Sequence, residues 1–231
     1  MTTEAEKISV SINERDSVTA LLYLASKKMR VGVTLILGHG AGSNQLSPFM
    51  QLFAKGLAAR GLDVLTFNFI YMEQGRRVPD QKAKLESCYL GVIEAAGKNK
   101  KLKDNRLVIG GKSMGGRIAS QVAAADNSNI AGLVFLGYPL HPPGKPEQPR
   151  DAHLKDILAP MLFVQGSRDA FGTPDELRAV IKRLQLRATL HAIESGDHSL
   201  KVPKSSSVPQ EQVYESIMDD IASWLGLKLV K

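Results

Sequence analysis

Between residues 106 and 125 the chain passes directly from a run suited to a buried strand into a run suited to a helix. Arg106 to Gly110 is short and apolar, whereas Met114 to Ala125 is rich in helix formers and carries a small-residue face. No linker separates them, so the chain must turn sharply within Gly111-Lys112-Ser113-Met114-Gly115, at the serine. In such a turn the serine takes a strained backbone conformation, and any side chain at the flanking glycines would strike the adjacent strand and helix. The hydroxyl is left pointing outward.

A serine presented this way is a candidate nucleophile. The Met114 N–H, unpaired at a helix N-terminus and at the positive end of its dipole, is a candidate donor to a developing oxyanion. The pentapeptide alone proves little, because glycine and serine gather at strand-to-helix turns for structural reasons. Phosphate binding is the first rival. Gly111-Lys112-Ser113 matches the end of a G-x-x-x-x-G-K-[ST] loop, but the opening glycine of that pattern falls on Arg106, inside the strand. Gly38-His39-Gly40-Ala41-Gly42-Ser43 misses G-x-G-x-x-G at its last position. Neither segment supports a nucleotide cofactor.

Serine chemistry also needs a base, an acid and a second oxyanion donor, and if the elbow belongs to an α/β-hydrolase fold these come in the chain order oxyanion loop, serine, acid, histidine. The chain supplies all four in that order. Val33 to Gly38 is a β-rich run that ends in His39-Gly40-Ala41-Gly42; Ala41 is the candidate second donor, and His39 orients the loop. Pro160 to Gly166 reads as a buried strand that delivers Asp169 at its carboxyl end, the edge where open α/β sheets gather ligands. Arg187 to Ile193 leads to Ser195-Gly196-Asp197-His198-Ser199, and His198 is the candidate base. The other histidines fit less well: His191 falls in an alternating strand, His39 in the oxyanion loop, and His141 and His153 between serine and acid. Asp197 is a rival acid, but a residue rarely folds back onto its neighbour's imidazole. The structural alternatives are a turn aspartate and a solvated loop histidine.

Through these residues the chain resembles the α/β-hydrolases, particularly the lidless dienelactone-hydrolase-like branch and the group that includes the testis-expressed hydrolase-like protein. The likeness extends over nearly the whole chain. Besides the elbow it rests on His39-Gly40-Ala41-Gly42, Tyr71-Met72-Glu73-Gln74-Gly75-Arg76-Arg77, Gly137-Tyr138-Pro139-Leu140-His141-Pro142-Pro143-Gly144-Lys145 and Gly196-Asp197-His198-Ser199. The resemblance implies the α/β-hydrolase fold, a triad of Ser113, Asp169 and His198, and no large cap domain. Dienelactone hydrolases proper carry a cysteine nucleophile where this chain has Ser113, so their specificity is not carried over.

Composition agrees with a single domain over residues 1–231, since 43 % hydrophobic content can fill a core around one sheet. Lys7 to Ile12 and Ser17 to Ala25 form an opening antiparallel pair about the turn Asn13-Glu14-Arg15-Asp16. Strands then alternate with helices at Pro48 to Arg60, Pro79 to Gly97, Met114 to Ala125, from Asp175 onward, and Val208 to Leu225. That alternation predicts a mostly parallel central sheet covered by helices on both faces. Gly137 to Ala159 is too short for a cap. Its five prolines (Pro139, Pro142, Pro143, Pro146 and Pro149) make a stiff rim loop with Tyr138, His141 and His153 as candidate substrate contacts. A second rim, Tyr71 to Val78, offers Tyr71 and, for an anionic group, Arg76 and Arg77; His39 completes the candidate substrate-binding set.

A net charge of +7 and a pI of 9.5 draw acidic partners. The lysines are nevertheless dispersed or confined to runs such as Lys98 to Lys103, and the 6 % aromatic residues are not interleaved with them, which speaks against nucleic acid. Attraction of a negatively charged substrate is a better use of the field. No run reaches the length of a membrane span and the N-terminus lacks an apolar leader, so the expected location is cytoplasmic. Cys88, the single cysteine, reads as a packed residue, and no metal cluster or cofactor motif is present. Nothing in the sequence specifies an oligomeric state. The expectation is a serine hydrolase of a small-molecule ester or thioester; the alternatives are a non-catalytic binding protein on the same fold, or an amidase or peptidase.

Overall fold

The computed structural model describes residues 4–126 and 129–229, with side chains to residue 226. Its first two strands, β1 (Glu6–Ser11) and β2 (Ser17–Tyr23), are antiparallel and joined by a turn in which Asn13 Oδ1 accepts the N–H groups of Arg15 and Asp16, both at 2.9 Å. β2 ends at Tyr23, before the expected Ala25. Its last ladder partner is Val64, after which the Ala25 N–H turns to the Asp63 carboxylate at 3.0 Å.

Six further strands follow: β3 (Val33–Gly38), β4 (Asp63–Phe67), β5 (Arg106–Lys112), β6 (Ile130–Leu136), β7 (Met161–Gly166) and β8 (Ala188–Ile193). Their order across the sheet is β1-β2-β4-β3-β5-β6-β7-β8, with β2 antiparallel to β4 and every pairing from β4 to β8 parallel. Successive side chains point to opposite faces, and both faces are apolar. Val108, Val134 and Leu162 pack on one side with α1 (Pro48–Ala59) and α6 (Gln210–Leu229). Ile109, Leu133 and Phe163 pack on the other with α3 (Lys82–Lys98), α4 (Met114–Ala125) and α5 (Pro174–Arg183). This is the α/β-hydrolase architecture, and residues 137–159 carry one 3-10 turn (Ala152–Asp156) and no cap domain.

Local chemistry sets the helix ends. Thr173 and Glu176 close a capping box on α5, with Pro174 at its first position. α6 starts at Gln210, past the expected Val208, because a residue that precedes a proline is pushed out of helical geometry. α3 starts at Lys82, past the expected Pro79, while Asp80 is held outside it by Arg76 at 2.5 Å. The single-turn helix α2 (Ile70–Glu73) and the 3-10 turn are too short to show a period in the sequence. No helix among the described residues is long and apolar enough to cross a membrane.

The chain lays β4 on one side of β3 through α1 and then β5 on the other side, its helices α1 and α3 on opposite faces. Such a reversal opens a crevice at the carboxyl ends of β3 and β5.

Candidate active site

Ser113 stands at the lip of that crevice as the N-cap of α4, with φ 50° and ψ −114°. For a residue with a side chain this conformation costs about 1–3 kcal/mol and persists only where the surroundings dictate it. They do so by close backbone packing. A Cβ on Gly115 would lie 2.1 Å from the Gly38 carbonyl oxygen, and one on Gly111, itself at φ +151°, would lie 2.2 Å from the same atom. Beneath the elbow, the buried Tyr89 hydroxyl accepts the Gly110 N–H at 3.0 Å and faces the carbonyl oxygens of Gly110 and Ile36 at 2.7 and 2.9 Å. Burial pushes this phenol well above its ordinary pKa.

His198, in the loop after β8, brings Nε2 to 2.8 Å from Ser113 Oγ and Nδ1 to 2.8 and 3.0 Å from the two oxygens of Asp169. A carboxylate only accepts, so the imidazole proton belongs on Nδ1, and the Nε2 lone pair is left for the serine hydroxyl. Asp169 is 2 % exposed, and its oxygens also accept the Phe171 N–H and the Gln165 amide, both at 2.8 Å. Asp197 does different work: its Oδ1 takes the N–H groups of Ser199 at 2.7 Å and Lys201 at 2.9 Å, which folds the loop that carries His198.

Three residues around this chain of hydrogen bonds were not singled out by sequence. Gln165 donates to Asp169, to Gly172 O at 2.7 Å and to Tyr138 O at 3.2 Å, and accepts the Tyr138 N–H at 2.8 Å. It had a signal, as the lone polar side chain in Met-Leu-Phe-Val-Gln-Gly. The Phe171 ring stacks on the His198 imidazole, with centroids 4.2 Å apart. Lys112 Nζ donates to the His198 carbonyl at 2.5 Å; burial pushes its ammonium down to about 8 while Asp169 and Asp197 pull it back up. Neither Phe171 nor Lys112 belongs to a pattern that a sequence displays.

Ala41 and Met114 share with Ser113 and His198 the wall of a cavity of about 750 Å³. Among the described residues no protein group accepts the N–H of either. Pro48, Phe49 and Leu52 of α1 and Tyr214 of α6 form an apolar side of the cavity, and Arg117 and Arg150 also line it.

None of His39, Tyr71, Arg76, Tyr138 and His141 lines the cavity. Their polar atoms are engaged elsewhere or their rings are claimed by the core. His39 is fully buried as a neutral ring: Nδ1–H donates to Gly40 O at 2.8 Å, Nε2 accepts the Phe69 N–H at 3.1 Å, and burial pushes its pKa down to about 4. Tyr71 is buried against His39 and Phe69. Arg76 is tied to Gln74 and Asp80. Tyr138 is buried and donates its hydroxyl to Arg150 O at 2.9 Å. His141 sits between Pro142 O at 2.8 Å and the Glu176 carboxylate at 3.1 Å, and His153 bonds Ser120 Oγ at 2.8 Å. Cys88 is on the buried face of α3, where desolvation pushes its thiol up to about 12. Among the described residues no group of three His, Cys, Asp or Glu side chains is arranged to hold a metal ion.

Residues 31–226 match the alpha/beta hydrolase domain model, and the chain belongs to that family. Its fold is similar to that of a dienelactone hydrolase from Anabaena variabilis, at 20 % identity with 99 % of each chain covered and a TM-score of 0.76. An alpha-beta serine hydrolase homologue from Coxiella burnetii matches at 17 % identity over 97 % of this chain and 98 % of that one, with a TM-score of 0.74. A serine hydrolase without a lid from Xanthomonas campestris matches at 17 % identity over 97 % of this chain and 95 % of that one, again with a TM-score of 0.74.

Proposed function

We propose that the protein is a serine hydrolase that cleaves a carboxylic ester or thioester, with Ser113 as nucleophile, His198 as general base and Asp169 as the group that fixes the imidazole tautomer. The observation that carries this reading is the unbroken hydrogen-bond chain from Ser113 Oγ through His198 to Asp169 at the wall of an open cavity. Ser113 Oγ adds to the carbonyl carbon as Nε2 takes its proton. The oxyanion lies against the N–H groups of Met114 and Ala41, each worth about 3 kcal/mol in the transition state. Collapse expels the alcohol or thiol, which takes the proton back from His198, and water activated by the same ring then frees the acid. An ester or thioester is preferred to an amide because its leaving group departs with less help and the capless site offers little surface for a peptide. The loop signatures at residues 71–77, 137–145 and 196–199 ally the chain with the testis-expressed hydrolase-like group, and the serine hydrolases among its structural neighbours support hydrolysis.

The test is fluorophosphonate labelling of the purified protein, with mass mapping of the adduct and Ser113→Ala as control. The expected result is an adduct on Ser113 and ester turnover that falls by orders of magnitude in the variant. A folded protein that takes no label and turns over no ester would instead be a binding scaffold, and faster cleavage of amides than of matched esters would make it an amidase.

A further inference from the structure

The cavity wall carries four cationic side chains, Lys112, Arg117, Arg150 and Lys201, and no carboxylate. One of the four is occupied and one is solvated: the Lys112 ammonium is bonded to the His198 carbonyl, and Lys201 is exposed. Arg117 and Arg150 are different. Among the described residues neither guanidinium has an ion-pair or hydrogen-bond partner, and Arg117 Nε is fully buried without an acceptor. The carboxylate next in sequence, Asp151, is engaged by Arg183 at 2.5 Å. Arg117 stands one helical turn beyond Ser113, its N–H bonded to the Ser113 carbonyl at 3.0 Å. Arg150 is held over the site from the loop after β6 by the buried Tyr138 hydroxyl and by its own N–H to Leu140 O at 2.7 Å. Burial and the neighbouring charge of Arg117 both push the Arg150 guanidinium below its ordinary pKa, so the two cations feel each other. Two like charges gathered in a half-buried site with no counter-charge are unfavourable until an anion joins them.

We propose that Arg117 and Arg150 form an anion subsite of the active site, so that the ester or thioester it cleaves carries a carboxylate or phosphate a short chain away from the scissile carbonyl. The planar guanidinium fork suits either oxyanion, which it grips in bidentate fashion. The rest of the substrate, apolar, lies against Phe49 and Leu52 of α1. The anion thus belongs with Arg117 and Arg150, away from Arg76, whose guanidinium is spent on Asp80. This subsite rests on the hydrolase reading of Ser113.

The test compares matched esters. The 4-nitrophenyl half-esters of glutarate and adipate are set against neutral 4-nitrophenyl pentanoate and hexanoate, and 4-carboxyphenyl butyrate against phenyl butyrate. The wild-type chain should favour the anionic member of at least one series by about tenfold or more in kcat/KM, as a charge-assisted contact warrants. The series that shows the preference tells whether the anion rides on the acyl or the leaving group. Added salt should shrink the preference, Arg117→Gln and Arg150→Gln should each abolish most of it through KM, and Arg150→Lys should restore part of it. Labelling of Ser113 together with turnover that ignores substrate charge would overturn the subsite and leave the hydrolase reading intact. If Ser113 takes no label, calorimetric titration with glutarate decides: heat of binding that both Arg→Gln variants lose supports the subsite, and its absence from the wild type overturns it.

Discussion

Tyr89→Phe removes one oxygen from the base of the elbow and should be felt both in stability and at Ser113. The ring keeps its edge contact with Phe67 at 5.1 Å and its packing near Phe69, so no cavity larger than the hydroxyl opens. The Gly110 N–H, however, loses the hydroxyl oxygen it donates to at a buried place, and the carbonyls of Ile36 and Gly110 lose the donor they share. An orphaned buried donor costs about 1–3 kcal/mol, so the expected loss of stability is about 2 kcal/mol. For a chain of 231 residues each kcal/mol moves the midpoint by about 2–4 °C, and melting should fall by about 4–8 °C. Gly110 is two peptide bonds from the residue before Ser113, so the fluorophosphonate should also label Ser113 several-fold more slowly. Circular dichroism melts and labelling time courses on the two proteins read both effects. A melting midpoint within about 1 °C of the wild type would refute the hydrogen-bond argument. A lowered midpoint with an unchanged labelling rate would refute the link to the elbow.

Gly115→Ala places a methyl group 2.1 Å from the Gly38 carbonyl oxygen and 2.8 Å from that of His39, both backbone atoms, so the chain should lose Ser113 labelling and drop by several kcal/mol in stability; normal labelling would contradict the packing. Cys88, with its thiol pushed up to about 12 and no exposed surface, should resist thiol reagents in the native state and react fully in urea, and rapid native reaction counted by mass would refute its burial. His39 holds its proton only below about pH 4 in the folded chain, against about 6.5 when unfolded, so the unfolded state binds more protons between these values. Stability should therefore rise with pH across that window, by up to about 1.4 kcal/mol per unit from this ring, and gain nothing further from it above the window. Urea midpoints at pH 4.5 to 7 should show a shallower slope for His39→Gln, and parallel slopes would refute the assignment.

The parts of the fold that show in sequence are those with a period or a punctuating residue. The apolar runs that became β3, β5, β6 and β7 and the small-residue face of α4 are visible because burial on both sides leaves few polar residues to blur them. The one polar residue that interrupts β7, Gln165, turned out to be informative for that reason. Ser113, Asp169 and His198 were legible as positions because each follows a strand end, and the sheet brings strand ends to one edge. Which side chains line the cavity was not legible. Tyr138 and Arg150 lie in the same proline-rich loop, and nothing local says that the tyrosine turns inward to support the backbone of the arginine. His39 and Tyr71 meet only because β3 and β4 are neighbours in the folded sheet. Those pairings join residues a dozen or more positions apart, and a sequence pattern records only pairings within a turn or two.

That distinction also accounts for how an open site without a cap holds its geometry. Each strand-end loop is fastened to another by a buried or partly buried polar group. His39 takes the Phe69 N–H and so ties the loop after β3 to the loop after β4, and the Ser113 N–H reaches Leu136 O at the end of β6. Gln165 on β7 holds both Tyr138, after β6, and the carboxylate of Asp169. Lys112, at the end of β5, crosses to the His198 carbonyl after β8, and the Arg168 N–H meets Gly196 O at 2.8 Å. The proposed reacting groups therefore stand on loops whose positions are fixed by their neighbours, which is the rigidity that productive alignment would demand when no lid closes over a substrate. Arg117 and Arg150 fit the same logic. They are pre-set, half-buried and, among the described residues, unpaired before any anion arrives, so the electrostatic cost of gathering them is met by the packing of α4 and the loop after β6, and a matching substrate would recover it on binding.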